Sequence, residues 1–383
     1  MGQTIRRDHA PQLNSEAHQY MSAEPISQRT AILLLAHGTP DKLSEMSEYL
    51  QKVTGGRPMP SAVVEELQHR YAEIGLREDP LPEGPPLTRW TLLQGQMLGE
   101  LLGQKVYVGM RNWHPYIADV VAQMKADGVE HARVLCLAPQ NSRTSTGLYR
   151  RALMEAVGDS FTVDFIAGWA DEPLLAQAFA ERMWPAWAEA CAVTGTKVPI
   201  LFTAHAVPCR TIMSSVPASQ SEQKPGGPVP ADGIQHYGTA QNPDPYPVEC
   251  KHTAIAIAAA LRPVGLTDAD WFFAFQSQGI AGAPWIGPTV PDTLKALADS
   301  GHKAVVLQPV GFLCDHVEIL YDIDIDFKQQ AAALGMQLSR AESLNGSPTL
   351  IRAIDSALHR HSTRLDPNAV PEPSPGRPAH TKA

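Results

Sequence analysis

Several signatures are missing from these 383 residues, and each absence removes a class of function. There is no run of clustered Lys and Arg. The chain holds 31 basic against 40 acidic residues, a formal net charge of −9, which argues against a nucleic-acid coat or a binder of anionic membranes. No segment approaches the ~18–20 consecutive apolar residues of a membrane span, so stable membrane insertion is not expected. The first twenty residues contain no apolar core of secretory type, and the expectation is a cytoplasmic protein. Cysteine is scarce and scattered: Cys136, Cys191, Cys209, Cys250 and Cys314 form no C-x-x-C pair, which gives no local zinc or iron–sulfur signature and fits a reducing compartment. Neither a G-x-G-x-x-G fingerprint nor a P-loop occurs, so a nucleotide cofactor is not indicated.

What is present is an ordinary globular composition, 44% hydrophobic and 19% charged, long enough for two domains with real cores. Short β-branched or aliphatic runs at 31–36, 105–110, 133–138, 163–167, 198–204, 271–275 and 304–310 read as strands. Amphipathic stretches at 61–74, 91–102, 116–128, 174–190, 248–262 and 290–301 read as helices between them. Near-continuous apolar strands separated by helices mean a parallel sheet covered on both faces. Residues 1–29 and 363–383 read as disordered tails, and 211–243, dense in Pro, Gly and Ser, as an irregular insertion. Two α/β halves remain, 30–167 and 168–362.

A repeat links the halves. ILLLAHGTP (32–40) returns as ILFTAHAVP (200–208), so His37 corresponds to His205. In the same order KVYVGMR (105–111) answers WFFAFQS (271–277), and RVLCLAP (133–139) answers AVVLQPV (304–310). Ligands of open parallel sheets sit beyond the carboxyl ends of the strands, so two such halves face His37 and His205 across one cleft.

Four groups of residues in that position could carry chemistry, and each has a structural alternative. A histidine at a strand end is either hydrogen-bonded to a neighbouring loop or free to act as base or ligand; at His37 the following glycine and its tight turn offer a further reason for the motif. In GFLCDHVEILYDIDID (311–326), Asp315-x-x-Glu318 has the form of a helix capping box. A helix would also set Asp315, Glu318, Asp322 and Asp326 in a line on one face, which is either a solvated acidic surface or a relay for protons or a divalent metal. Trp285, in a Gly/Pro-rich loop past a strand end, either caps the core or offers a flat wall to a planar ligand. Arg70, Tyr71, Arg111, Tyr149, Arg150 and Arg151 could recognise carboxylates of a large flat ligand, or be solvated.

At these residues the sequence resembles the ferrochelatases, which insert ferrous iron into a porphyrin in heme biosynthesis. The matching strings are LFTAHAVP, DPYP (244–247), QSQG with PWIGP (284–288), LQPVGFLCDHVEILYDIDIDF and RAESLNGSP (340–348), with weaker matches in LLLAHGTP, ELQHRYAEIG, VGMRNWHP and LAPQNSRTSTGLYRRA. The resemblance implies two similar Rossmann-like, chelatase-type halves, each a parallel four-stranded sheet flanked by helices, with the active-site cleft between them. It implies that His205 and Glu318 are the catalytic and metal-site pair, that Asp322 and Asp326 form a secondary metal or proton path, and that His37, Arg70, Tyr71, Tyr149 and Trp285 contact the porphyrin. His37, where relatives carry other residues, is expected to make an axial contact with the metal opposite His205. Iron and porphyrin are then substrates, no cofactor is permanently bound, and a C-terminal tail without cysteines gives no expectation of an iron–sulfur cluster. A monomer is the default. Metallation must remove two N–H protons while iron sheds its waters, and a tight pocket that bends the macrocycle helps both.

The sequence also departs from that pattern. LREDPLPEGPPL after RYAEIG is longer than the usual turn, the insertion separates AHAVP from DPYP, and SEYLQKVTGGRPMPSAVVEEL is too charged for a membrane-seeking lip. Two other readings fit parts of the pattern: a chelatase for another tetrapyrrole such as sirohydrochlorin, and a two-lobed protein that binds heme or another solute without metallation.

Overall fold

The computed structural model describes residues 30–79, 82–212, 244–278, 284–360 and 363–364. The expected tails, apart from Thr363 and Arg364, and positions 213–243 of the insertion lie outside the described residues. The first half contains strands β1 (Thr30–Ala36), β2 (Val106–Met110), β3 (His131–Cys136) and β4 (Thr162–Ile166). The second contains β5 (Ile200–His205), β6 (Trp271–Gln276), β7 (Ala304–Pro309) and β8 (Gln337–Arg340), and β9 (Thr363–Arg364) follows. The sheet orders are β2-β1-β3-β4-β9 and β6-β5-β7-β8. Within each half the four strands run parallel, in the matched order that the repeat implies. Thr363 and Arg364, placed in a tail by their polar surroundings, instead add an antiparallel edge to β4.

Physical cause is visible in the strands themselves. Positions 31–36 and 304–309 are buried on both faces, as parallel strands covered by helices must be, and only aliphatic or small side chains tolerate that. The fourth strand of the second half, QLSR, escapes notice in the sequence because it is a short edge strand with one buried residue, Leu338. The helices Met46–Val53, Thr146–Val157 and Pro348–Arg360 also go beyond those drawn from periodicity.

The halves are not separate bodies. Helix Pro173–Thr194 begins at Pro173 behind Glu172, whose carboxylate accepts from the Leu174 N–H at 3.3 Å, and ends at Gly195 in the left-handed region with φ 68°. Its buried Phe179, Met183 and Trp187 enter one hydrophobic core that contains both Ile32 and Leu34 of β1 and Ile200 and Phe202 of β5. Polar ties add to this: the Asn141 N–H donates to the fully buried Glu249 carboxylate at 2.6 Å, and Gln140 Nε2 donates to the Val310 carbonyl at 3.0 Å. Both strands that lead into the cleft therefore start from one shared core.

Duplication extends to the backbone bonds around the cleft. Leu137 N–H donates to the Leu35 carbonyl at 2.8 Å, and Val310 N–H to Thr203 at 2.7 Å; Met110 N–H donates to Pro115 at 2.7 Å, and Phe275 N–H to Pro288 at 2.8 Å. At one place the copies differ for a steric reason. Gly38, after His37, has φ +85°, and a Cβ there would lie 2.8 Å from the Trp113 nitrogen, whereas the corresponding residue after His205 is alanine.

Candidate active site

In both sheets the chain leaves the first strand for the neighbour on one side and later returns to the other, so β1 and β5 stand at switch points where a crevice opens beyond the strand ends. His37 follows β1 and His205 ends β5. Each ring makes the same local bond, Nδ1 to the carbonyl of the next residue, Gly38 at 3.0 Å and Ala206 respectively. Nδ1 therefore carries the proton and Nε2 points onward, and what Nε2 meets separates the two.

His205 Nε2 meets Glu318 Oε1 at 3.3 Å. The other carboxylate oxygen, Oε2, lies 3.6 Å from His316 Nε2, and Phe312 stacks edge-on between the rings at 4.5 Å from His316 and 6.5 Å from His205. Burial alone would pull the His205 imidazole down, but the charge and hydrogen bond of Glu318 override it and lift it to about 9. Burial likewise pushes Glu318 up, and the His205 cation and His316 overrule it and hold the carboxyl well below the usual range. At neutral pH the pair is an imidazolium against a carboxylate.

The expected line of four carboxylates is not formed. Asp315 precedes the helical turn Val317–Leu320 and makes no capping box; its carboxylate accepts from Ser343 Oγ at 2.6 Å and Asn345 Nδ2 at 2.9 Å. Beyond that turn, residues Asp322–Phe327 form a π-helix, whose wider turns break the three- and four-residue stacking assumed from the spacing. Asp326 is turned to Gln330 at 2.9 Å. Only Asp322 joins Glu318: it accepts from Ser277 Oγ and faces Arg70 Nη1 at 3.7 Å. Burial, reinforced by the Glu318 charge, raises Asp322 to about 6 against the opposing pull of Ser277 and Arg70. Arg70, half-exposed, also bonds Glu66 at 2.9 Å and lies 5.2 Å over the Tyr321 ring, so it spans the cleft rim between the halves.

His37 is different. Its Nε2 accepts from Asn112 Nδ2 at 2.9 Å, and Tyr49 Oη lies 3.3 Å from Nδ1. Burial, followed by the Arg111 charge, lowers this imidazole to about 4, so it stays neutral. The axial contact expected for His37 needs a free Nε2 lone pair, and Asn112 occupies it.

Around His37 stands an aromatic wall. Tyr49, Tyr71 and Trp113 form a buried cluster with Met46, Leu50 and Leu76, and Val317, next to Glu318, packs against it from the other half. Tyr71 is pushed up to about 12 by burial. Tyr149 is buried with the Arg111 guanidinium 6.0 Å from its ring centre. Arg150 is buried on the same helix, Thr146–Val157, and Arg151 is half-buried there. Trp285 bridges Pro208, three residues past His205, and packs on the shared core. His316, Ser277, Tyr49 and Asn112 are site residues that the sequence reading passes over. His316, Ser277 and Asn112 had a signal, their places in the matching strings that carry Glu318, QSQG and VGMRNWHP; Tyr49 had none.

The arrangement is a histidine–carboxylate ion pair in one half and an aromatic cluster with a neutral imidazole in the other. The Ferrochelatase family profile matches residues 29–362. A ferrochelatase of Acidobacterium capsulatum is 52% identical over 349 residues, covering 91% of this chain and 99% of that one. One of Herpetosiphon aurantiacus is 37% identical, covering 87% and 99%. A coproporphyrin III ferrochelatase of Anoxybacillus flavithermus is 29% identical, covering 86% and 95%. With its profile match across both halves and these identities over nearly their whole lengths, the chain belongs to the ferrochelatase family.

Proposed function

We propose that this ferrochelatase inserts ferrous iron into a porphyrin at the His205–Glu318 pair, releasing two protons, as a step of heme biosynthesis. The observation that carries this reading is the 3.3 Å ion pair at the end of β5, aimed into a cleft whose opposite wall is aromatic. A divalent cation approaching the pair displaces the imidazolium proton to the Asp322 carboxylate and from there to solvent, and Glu318 supplies the compensating charge. Asp322, poised near neutrality, and Ser277 continue the polar route toward Arg70 at the rim, which suits passage of metal inward or protons outward. His37, Tyr71, Tyr149 and Trp285 would lie against the macrocycle, and Arg70 would meet its carboxylates. No resident cofactor enters this scheme, and the site is built from one chain, so a monomer suffices. Scattered thiols, four of them buried at Cys136, Cys191, Cys250 and Cys314, favour a reducing, cytoplasmic setting.

The direct test mixes purified protein anaerobically with ferrous iron and either protoporphyrin IX or coproporphyrin III and follows loss of porphyrin fluorescence. Turnover with one or both is expected; none with either rejects the reading, and the ratio of kcat/KM values names the preferred porphyrin.

Two further outcomes follow from the electrostatics. Because the His205 imidazole titrates near 9 and must give up its proton to admit a cation, kcat/KM for iron is expected to rise with pH from about 6.5 to 8.5, as the base form of a group with a higher pKa accumulates. A flat or falling anaerobic profile over that range contradicts this. Replacing Asn112 with leucine releases the His37 Nε2 lone pair, so the iron–porphyrin complex of this variant is expected to show a Soret shift towards histidine ligation that is abolished by adding His37→Phe. Identical spectra in wild type and Asn112→Leu mean that Asn112 is not what keeps His37 off the metal.

A further inference from the structure

We infer that Arg340 is a positioning residue for iron insertion: it fixes both ends of the segment that carries His316, Glu318 and Asp322. This rests on the reading that Glu318 and Asp322 serve metallation. Arg340 is the last residue of β8, paired in register with Leu307, and its side chain is only 13% exposed. Its planar fork grips Asp324, Nε to Oδ1 at 3.0 Å and Nη2 to Oδ2 at 2.7 Å. The remaining nitrogen, Nη1, donates to the Ala341 carbonyl at 3.1 Å and to Ser343 Oγ at 3.2 Å and lies 3.5 Å from Asp315 Oδ1. One guanidinium therefore holds a carboxylate just before the acidic segment and another inside its π-helix. The ends are further tied by Asn345 to Asp315 and by Lys328 Nζ to Asp324 at 3.1 Å.

The segment needs such a tie. Its helical turn, Val317–Leu320, and six-residue π-helix run on into helix Lys328–Ala333, and buried Ile319, Ile323 and Phe327 pin the apolar side to the core, which leaves the placement of the polar side to its charged contacts. It also gathers Asp315, Glu318, Asp322 and Asp324, whose mutual repulsion favours opening. Arg340 opposes that with a charge placed behind the segment, where it does not compete with Glu318 for His205. A bidentate fork fixes direction as well as charge, which an ammonium cannot do. A shift of the order of 1 Å in Glu318 relative to His205 is enough to cost about 10²-fold in rate.

The test compares Arg340→Met, Arg340→Lys, Asp324→Asn and, as a control for lost stability, Leu358→Ala in the buried face of helix Pro348–Arg360. Each full-length protein is assayed anaerobically with ferrous iron and the porphyrin that wild type turns over. Arg340→Met is expected to lower kcat by about 10–100-fold, as loss of supporting contacts to metal-site residues does, with porphyrin KM within about threefold. Arg340→Lys recovers part of the loss, and Leu358→Ala lowers Tm while keeping kcat within about twofold of wild type. The inference is overturned if Arg340→Met keeps kcat within about twofold, or if Leu358→Ala loses as much. Should Arg340→Met fail to fold by circular dichroism, Asp324→Asn decides, with at least a fivefold loss expected and a change under twofold overturning the inference. Wild type inert toward both porphyrins would instead remove the functional reading beneath it.

Discussion

Iron insertion is expected to fall by about 10²–10⁴-fold in His205→Ala, the range for loss of a positioned acid–base group, with the fold intact. The histidine ends β5 at the open rim of the cleft and is about one-third exposed, so its removal leaves no cavity in the shared core. Glu318→Gln should lose a comparable factor for a different reason. It keeps shape and volume but removes the charge that raises His205, so the imidazole of the variant titrates lower and the pH-dependent rise in rate moves down with it. Because the two groups work as one unit, the double variant should be little worse than the poorer single one. Single-turnover porphyrin fluorescence measures all three. Near-normal rates in both single variants reject the assignment of the site, and additive losses reject the coupling.

Stability should suffer most from Trp187→Ala. The ring is fully buried in helix Pro173–Thr194 within the core that joins the halves, and its indole N–H donates to the Val198 carbonyl at 2.7 Å, just ahead of β5. Truncation leaves a large void and an unpaired buried carbonyl, so a loss of about 3–5 kcal/mol is expected. Thermal denaturation should show Tm lower by roughly 5–10 °C. Trp187→Phe keeps most of the ring and should lose much less. An alanine variant within about 1 kcal/mol of wild type means the core does not depend on this residue as the packing indicates.

Much of this architecture is legible in the chain. The repeat of ILLLAHGTP in ILFTAHAVP places both histidines at equivalent strand ends, and the apolar runs locate the parallel strands to within a few residues. Helix Pro348–Arg360 also had a readable signal, since Leu350, Ile351, Ile354 and Leu358 recur at helical spacing and are all buried. Strand β8 did not: four residues with one buried side chain are a strand only because β7 offers an open edge. The acidic string misleads because spacing is converted to geometry by assuming 3.6 residues per turn. Its π-helix breaks that assumption, Ser343 and Asn345 draw Asp315 out of the row, and Asp326 is turned to Gln330.

The sequence by itself determined the duplicated frame and the identity of the groups at its two strand ends, because strand burial and turn chemistry are local properties of consecutive residues. Only the tertiary structure decided that the twins are chemically opposite. His37 lies between Asn112, Tyr49 and Arg111 and is held neutral near 4, while His205 faces Glu318 and is held charged to about 9. Ionisation follows charge, hydrogen bonding and burial within a few ångströms in space. The leading charges here, Arg111 for His37 and Glu318 for His205, stand 74 and 113 residues away along the chain.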